Sequence, residues 1–116
     1  MNQMIMTLNL ADESILLNKG VLEALDWPRQ IQLLINKDEK MLLLRACSMD
    51  DQQAVVVPEE SAAPFEISAR SFLKRIRQLV GWTDKLPRLC YGEYLPTHQA
   101  IRFHLENAQP LELVQG

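Results

Sequence analysis

Apolar residues along this chain recur at two spacings. Some short runs repeat every second residue and two repeat every third or fourth, which predicts strands and helices respectively. Residues 4–10 alternate weakly and suit an edge strand. Ala11-Asp12-Glu13-Ser14 reads as a turn, and Ser14–Leu17 as a second short strand. Asn18 is a good helix N-cap, because its side-chain oxygen can accept an otherwise orphaned backbone N–H. The helix it opens, residues 19–26, carries Val21, Leu22 and Leu25 on one face and stops at Trp27-Pro28, since the residue before proline avoids the helical region. Ile31, Leu33 and Ile35 then alternate within Gln30–Asn36. Residues 37–40 are a turn, and Met41–Ala46 returns as a strand, giving a β-hairpin. Leu34, Leu42 and Leu44 make its second face apolar too. A hairpin open to water on one side does not look like this. It is expected to be covered on both faces, by a helix, the other half of the chain or a second subunit.

Beyond a polar loop at 48–53, residues 54–57 form a short β-branched strand ended by Pro58. Residues 59–64 are a small-residue linker between halves. Phe65-Glu66-Ile67 is again strand-like, Ser68 is placed to cap, and residues 69–80 carry Phe72, Leu73, Ile76, Leu79 and Val80 in one helical stripe. Gly81 suits the residue after a helix. A second hairpin joins residues 88–94 and 99–105 around Leu95-Pro96-Thr97-His98, and the tail with Leu111 and Leu113 adds an edge or frays. Cap, helix, Trp, Pro and hairpin thus recur in the same order over residues 14–46 and 65–105, with Trp27 and Trp82, Pro28 and Pro87 in matching places. The expected fold is α+β: two β-α-β-β units, a possible internal duplication, forming a mixed, mostly antiparallel sheet or barrel with two helices. Residues 1–116 form a single domain, since one unit could not cover its own hairpin whereas two bury them together.

Composition changes this picture little. The chain is 47% apolar over 116 residues, enough for a core without staples. Cys47 and Cys90 lie in strand-like text and suggest free thiols in a reducing compartment. The N-terminus lacks a basic region before its apolar residues, and the apolar runs are far shorter than the roughly 18 residues of a membrane span. A cytoplasmic protein is expected, with no membrane partner.

Charge is more informative. The net charge is −3, yet residues 69–88 carry Arg70, Lys74, Arg75, Arg77, Lys85 and Arg88 against Asp84 alone. Arg70, Lys74 and Arg77 fall on one helical stripe with Arg75 nearby. Such a cluster is what phosphate contact needs, and it is also what the solvated face of an amphipathic helix carries. These four are the candidate nucleic-acid-binding residues.

Catalytic chemistry finds less support. A hairpin turning around Thr97 would set Cys90 opposite His104, a pair that could make a reactive thiolate, but no third group orients it. On that register Leu89, Leu105, Tyr91 and Phe103 form the core face. The adjacent carboxylates Asp12/Glu13, Asp50/Asp51 and Glu59/Glu60 read as solvated turns. Two His and two Cys make a zinc site improbable, and four glycines leave no phosphate-cradling loop or nucleotide fingerprint. Neither catalytic nor metal residues are assigned, and no small-molecule cofactor is expected.

Ile15-Leu16-Leu17, Asn18-Lys19, Val21-Leu22-Glu23-Ala24-Leu25 and the hairpin from Ile31 to Arg45 together resemble the AbrB/SpoVT-type swapped-hairpin family of transition-state regulators and antitoxins. The resemblance implies an intertwined homodimer that binds DNA through basic residues near the first strand and the loops. In this chain the corresponding stretch is Ala11-Asp12-Glu13-Ser14, which is acidic, and the local basic excess lies at residues 69–88. The chain also resembles small bacterial proteins carried on mobile elements, which implies no function. The expectation is a non-enzymatic binding module, a small DNA-binding regulator of this type or else an accessory protein that meets a protein partner.

Overall fold

The computed structural model describes residues 3–47, 54–57 and 64–111. In chain order they form β1 (Ile5–Asn9), β2 (Ser14–Leu17), α1 (Lys19–Ala24), β3 (Gln30–Asn36), β4 (Met41–Ala46), β5 (Val55–Val56), β6 (Phe65–Ser68), α2 (Arg70–Val80), β7 (Arg88–Leu95), β8 (Ala100–His104), a 3-10 turn at Leu105–Asn107, and β9 (Gln109–Pro110). The fold is α+β, with two helices on a nine-stranded, nearly closed barrel-like sheet.

Around the barrel the strands run β5-β3-β4-β8-β7-β1-β2-β6, with β9 beside β7. Every pair is antiparallel among the described residues. The order has an internal logic. One unit is β1-β2-α1-β3-β4 and the other is β5-β6-α2-β7-β8. β1 pairs with β7 of the other unit, and β5 pairs with β3. Like meets like at β2–β6 and β4–β8. Exchanging the two units turns the strand order into itself. Among the described residues two pairings lack a counterpart: β7–β9, since β9 lies outside both units, and β1–β2, whose image would be β5–β6. That gap is the seam of the barrel. The first strand is consequently not at an edge: β1 has β2 on one side and β7 on the other.

Local signals explain the helix starts unequally. Asn18 caps α1: its Oδ1 accepts the Val21 N–H at 3.0 Å and the Ile5 N–H at 3.1 Å, while its Nδ2 donates to the Gln3 carbonyl at 2.8 Å. α1 ends before Asp26 and Trp27, both in the left-handed region (φ 58 and 44). Ser68 is not a cap. It is the last residue of β6, and α2 starts from Ala69 with no side-chain cap bond. Pairing of Ser68 with Ser14 in the β2–β6 ladder holds it in the strand. Gly81 closes α2 with φ 85, as a left-handed cap requires.

The core is shared by both units. Met6, Leu8, Ile15, Leu17, Val21, Ile31, Leu42, Leu44, Ile76, Ile101, Phe103 and Leu105 are all fully buried. Leu42 and Leu44 therefore sit on the same face as Ile31, Leu33 and Ile35, not on the opposite face with Leu34. The ladder pairs Leu33 with Leu44 and Ile35 with Leu42, so these side chains share one face; Leu34 pairs with Leu43 on the outside. One face of this hairpin is core, and on the other Leu34 remains 38% exposed.

The second hairpin differs from expectation by one residue. Its turn is residues 96–99, with Gln99 left-handed at φ 47, and Gly92 pairs with Phe103. A slip of one position reverses faces along a strand. Cys90 accordingly points into the core, while Tyr91 and His104 are exposed on the outside. The two hairpin turns match, since the first also ends on a left-handed residue, Lys40 at φ 52. Aligned on them, Leu34 and Leu43 of the first unit correspond to Glu93 and Arg102 of the second, where an ion pair of 2.9 Å replaces the aliphatic pair. Arg102 holds the exposed Glu93 carboxyl below its ordinary range by hydrogen bonding. The residues expected as the 48–53 loop and the linker at 59–64 lie outside the described residues, apart from Pro64.

Candidate functional site

α2 forms because its apolar stripe buries Leu73 and Ile76 against the barrel, with Phe72, Leu79 and Val80 half-buried beside them. The opposite face is left to Arg70, Ser71, Lys74, Arg75 and Gln78, which are exposed. The helix contains no acidic residue.

Its basic residues divide between two sides. Arg70, Lys74 and Arg77 line a groove of about 290 Å³, joined there by Lys85 from the segment after the helix. Leu10, Leu73 and Glu13 complete the lining, so Glu13 is the sole carboxylate among these residues. Arg75 does not share this groove. It lies on the other flank of α2 with Lys37, Gln78, Ile35 and Leu79, and beside the barrel seam, where Leu33, Val55, Ile67 and Phe72 supply apolar lining. The expected stripe of Arg70, Lys74 and Arg77 is thus brought together, and Arg75 stands apart from Lys74 and Arg77, sharing only the seam lining with Arg70. Helical geometry explains both facts: positions 70, 74 and 77 share one face, and 75 is rotated about 100° from 74.

Glu13 enters the groove from the β1–β2 turn. Its backbone is left-handed (φ 57), and its carbonyl accepts the Ala69 N–H at 2.9 Å. This bond clamps the turn onto the residue that precedes α2. The side chain reaches Arg70, with Oε2 3.1 Å from Nε. The carboxylate offsets the unfavourable placement of a cation at a helix N-terminus. At the other end of the groove, Arg77 donates from Nη2 to the Thr83 carbonyl at 3.4 Å, and its buried Nε has no hydrogen-bond partner among the described residues.

Arg88 belongs to a different structure. It is buried, at 6% exposure, and donates to both oxygens of Asp84 at 3.0 Å while stacking on the Trp82 ring at 4.3 Å. The Arg88 hydrogen bonds hold the Asp84 carboxyl below its ordinary range, helped by the Leu86 N–H. Of the basic residues in the 69–88 stretch, Arg88 is therefore consumed by folding. Trp82 covers the core edge as part of the same arrangement.

The Cys90–His104 pairing does not exist. Cys90 is buried in the core, opposite Met6 of β1. Burial pushes its thiol up from an ordinary 9.0 to about 12, against a smaller lowering by Arg88. A thiol in that state is a packing group rather than a nucleophile at neutral pH. Neither cysteine forms a disulfide among the described residues. Among the described residues no three His, Cys, Asp or Glu side chains come together as a metal site, and no helix is long and apolar enough to cross a membrane.

Sequence reasoning missed Glu13 as a groove residue, and it counted Lys85 in the basic excess of residues 69–88 without placing it among the four candidates. Each arrives from outside the helix. Asp12-Glu13 reads as an ordinary acidic turn, and only the clamp between Glu13 and Ala69 brings it to α2. Compared with family models, curated proteins and solved structures, the chain matches none.

Proposed function

We propose that this protein is a non-enzymatic binding module whose α2 groove takes a polyanion, the phosphate backbone of DNA. On this reading it acts in the cytoplasm as a small regulator of the kind its first unit resembles, and it works as a homodimer. The observation that carries the proposal is the convergence of Arg70, Lys74, Arg77 and Lys85 on one groove with a single opposing carboxylate. The net charge of −3 gives no general attraction for DNA, so a bound duplex would be held by this local cluster. Burial of Cys90, away from His104, speaks for a binding role over a thiol enzyme.

The test is a duplex titration at roughly 50 and 200 mM salt, where each phosphate neutralised contributes about −0.9 to the slope of log K against log salt. Three or four groove cations give a slope near −3. Arg70→Ala, Lys74→Ala and Arg77→Ala should each weaken binding of all sequences alike. No binding, or binding indifferent to salt, overturns the reading. Light scattering tests the homodimer separately, and a monomer at all concentrations removes that part.

A second reading rests on the outward Leu34–Leu43 pair. There the first unit presents aliphatic side chains where the second presents Glu93 and Arg102. An accessory protein would use that face against a protein partner and ignore DNA.

A further inference from the structure

We propose that the α2 groove holds a phosphate subsite that Glu13 fills in the free protein, so that DNA docks by exchanging one of its phosphates for the Glu13 carboxylate. This rests on the polyanion reading above and names the atom group at its centre. A carboxylate oxygen at 3.1 Å from the Arg70 Nε occupies the position in which a phosphate oxygen would bind a guanidinium. The side chain that supplies it can leave. Glu13 stays beside α2 through its backbone carbonyl, which accepts the Ala69 N–H whether or not the carboxylate is paired, and that carboxylate is half exposed, at 48%, with the Arg70 side chain 87% exposed. An exposed ion pair of this kind is weak and exchanges readily. The remaining groove cations stay in place around the incoming phosphate. Arg77 has a buried Nε without a partner among the described residues, and Lys74 and Lys85 line the groove beside it.

The exchange has a thermodynamic signature. In the wild type a phosphate arriving at Arg70 must first break the Glu13 ion pair, while the counterion condensed on that phosphate is released in either protein. Glu13→Gln removes the competing pair and leaves the number of neutralised phosphates unchanged. The variant should bind duplex DNA about two- to fivefold more tightly at low salt, by the usual strength of exposed ion pairs. Its salt slope should match that of the wild type, because the same phosphates are neutralised. Glu106→Gln, an equal charge change on the 3-10 turn away from the groove, should bind as the wild type does.

Inorganic pyrophosphate gives a readout without DNA. It should shift the Arg70 Nε–H resonance, at lower concentration in Glu13→Gln than in the wild type. If the wild type binds DNA and Glu13→Gln binds it no more tightly, the exchange is wrong and the polyanion reading survives. Equal tightening in Glu106→Gln also overturns the exchange, because overall charge then explains it. If neither the wild type nor Glu13→Gln binds DNA or pyrophosphate, both readings fall.

Discussion

Gly92 lies against Phe103 across the second hairpin, closely enough that a Cβ on Gly92 would stand 2.9 Å from the Phe103 ring and 2.5 Å from Ile101 Cγ2. Phe103 and Ile101 are fully buried, so neither has room to retreat. The absence of a side chain at 92 is what lets the ring come this close to the strand. Gly92→Ala should destabilise the fold by about 1–3 kcal/mol, the usual cost of overpacking. Urea unfolding measures it, and an unchanged midpoint would show that the barrel yields more easily than its packing implies.

Asn18 joins three segments through one amide. Its Oδ1 serves both the first turn of α1 and the backbone of β1, and its Nδ2 reaches Gln3. Asn18→Ala removes the cap and strands the Ile5 N–H, a combined loss of about 2 kcal/mol. Asn18→Asp keeps both acceptor roles and gives up the donor to Gln3, so it should cost less. Equal losses in the two variants would locate the stabilisation in the Gln3 bond instead.

Cys90 ties stability to alkaline pH. Its thiol is raised from 9.0 to about 12 in the fold. Below pH 9.0 the group is protonated whether folded or not. From pH 9.0 towards about 12 the unfolded chain releases the proton and the folded chain keeps it, so stability falls with rising pH, by up to about 1.4 kcal/mol per pH unit. Cys90→Ala should flatten this slope. At neutral pH, thiol reagents should modify Cys47, which is half-buried, well before Cys90.

Asp84 gives the opposite dependence. Arg88 lowers its pKa from 3.8, so the pairing stabilises the fold above pH 3.8 and the benefit is lost as pH falls through the folded value. Asp84→Asn should be less stable than the wild type at neutral pH, and the two stabilities should converge in acid. A constant gap across that range would mean that the buried Arg88 does not depend on the charge of its partner.

Much of this fold was legible because its local signals are strong and agree with the tertiary structure. Period-two text gives the bounds of Gln30–Asn36 and Met41–Ala46 as they stand, and Asn18 and Gly81 occupy the caps their chemistry suits. What failed depended on partners distant in sequence. Ser68 looks like a cap until β2 claims it for a strand. Cys90 changes face when the turn moves by one residue, and nothing local to Pro96 and Thr97 fixes that choice. The same holds for the groove. Helical spacing brought Arg70, Lys74 and Arg77 together, whereas Glu13 and Lys85 come from separate elements, and Arg88 left the basic set by pairing with Asp84.

The strand exchange makes this one chain a tethered dimer. Neither half owns a complete sheet, since β1 completes the second hairpin and β5 the first. Severed between Cys47 and Ala54, the halves should be unfolded apart and fold together on mixing, with a midpoint that rises with their concentration. In the intact protein the tether supplies that concentration by itself. Two surfaces that a symmetric pair would have to keep identical are then free to diverge, which is how a basic groove can sit on α2 with no copy on α1.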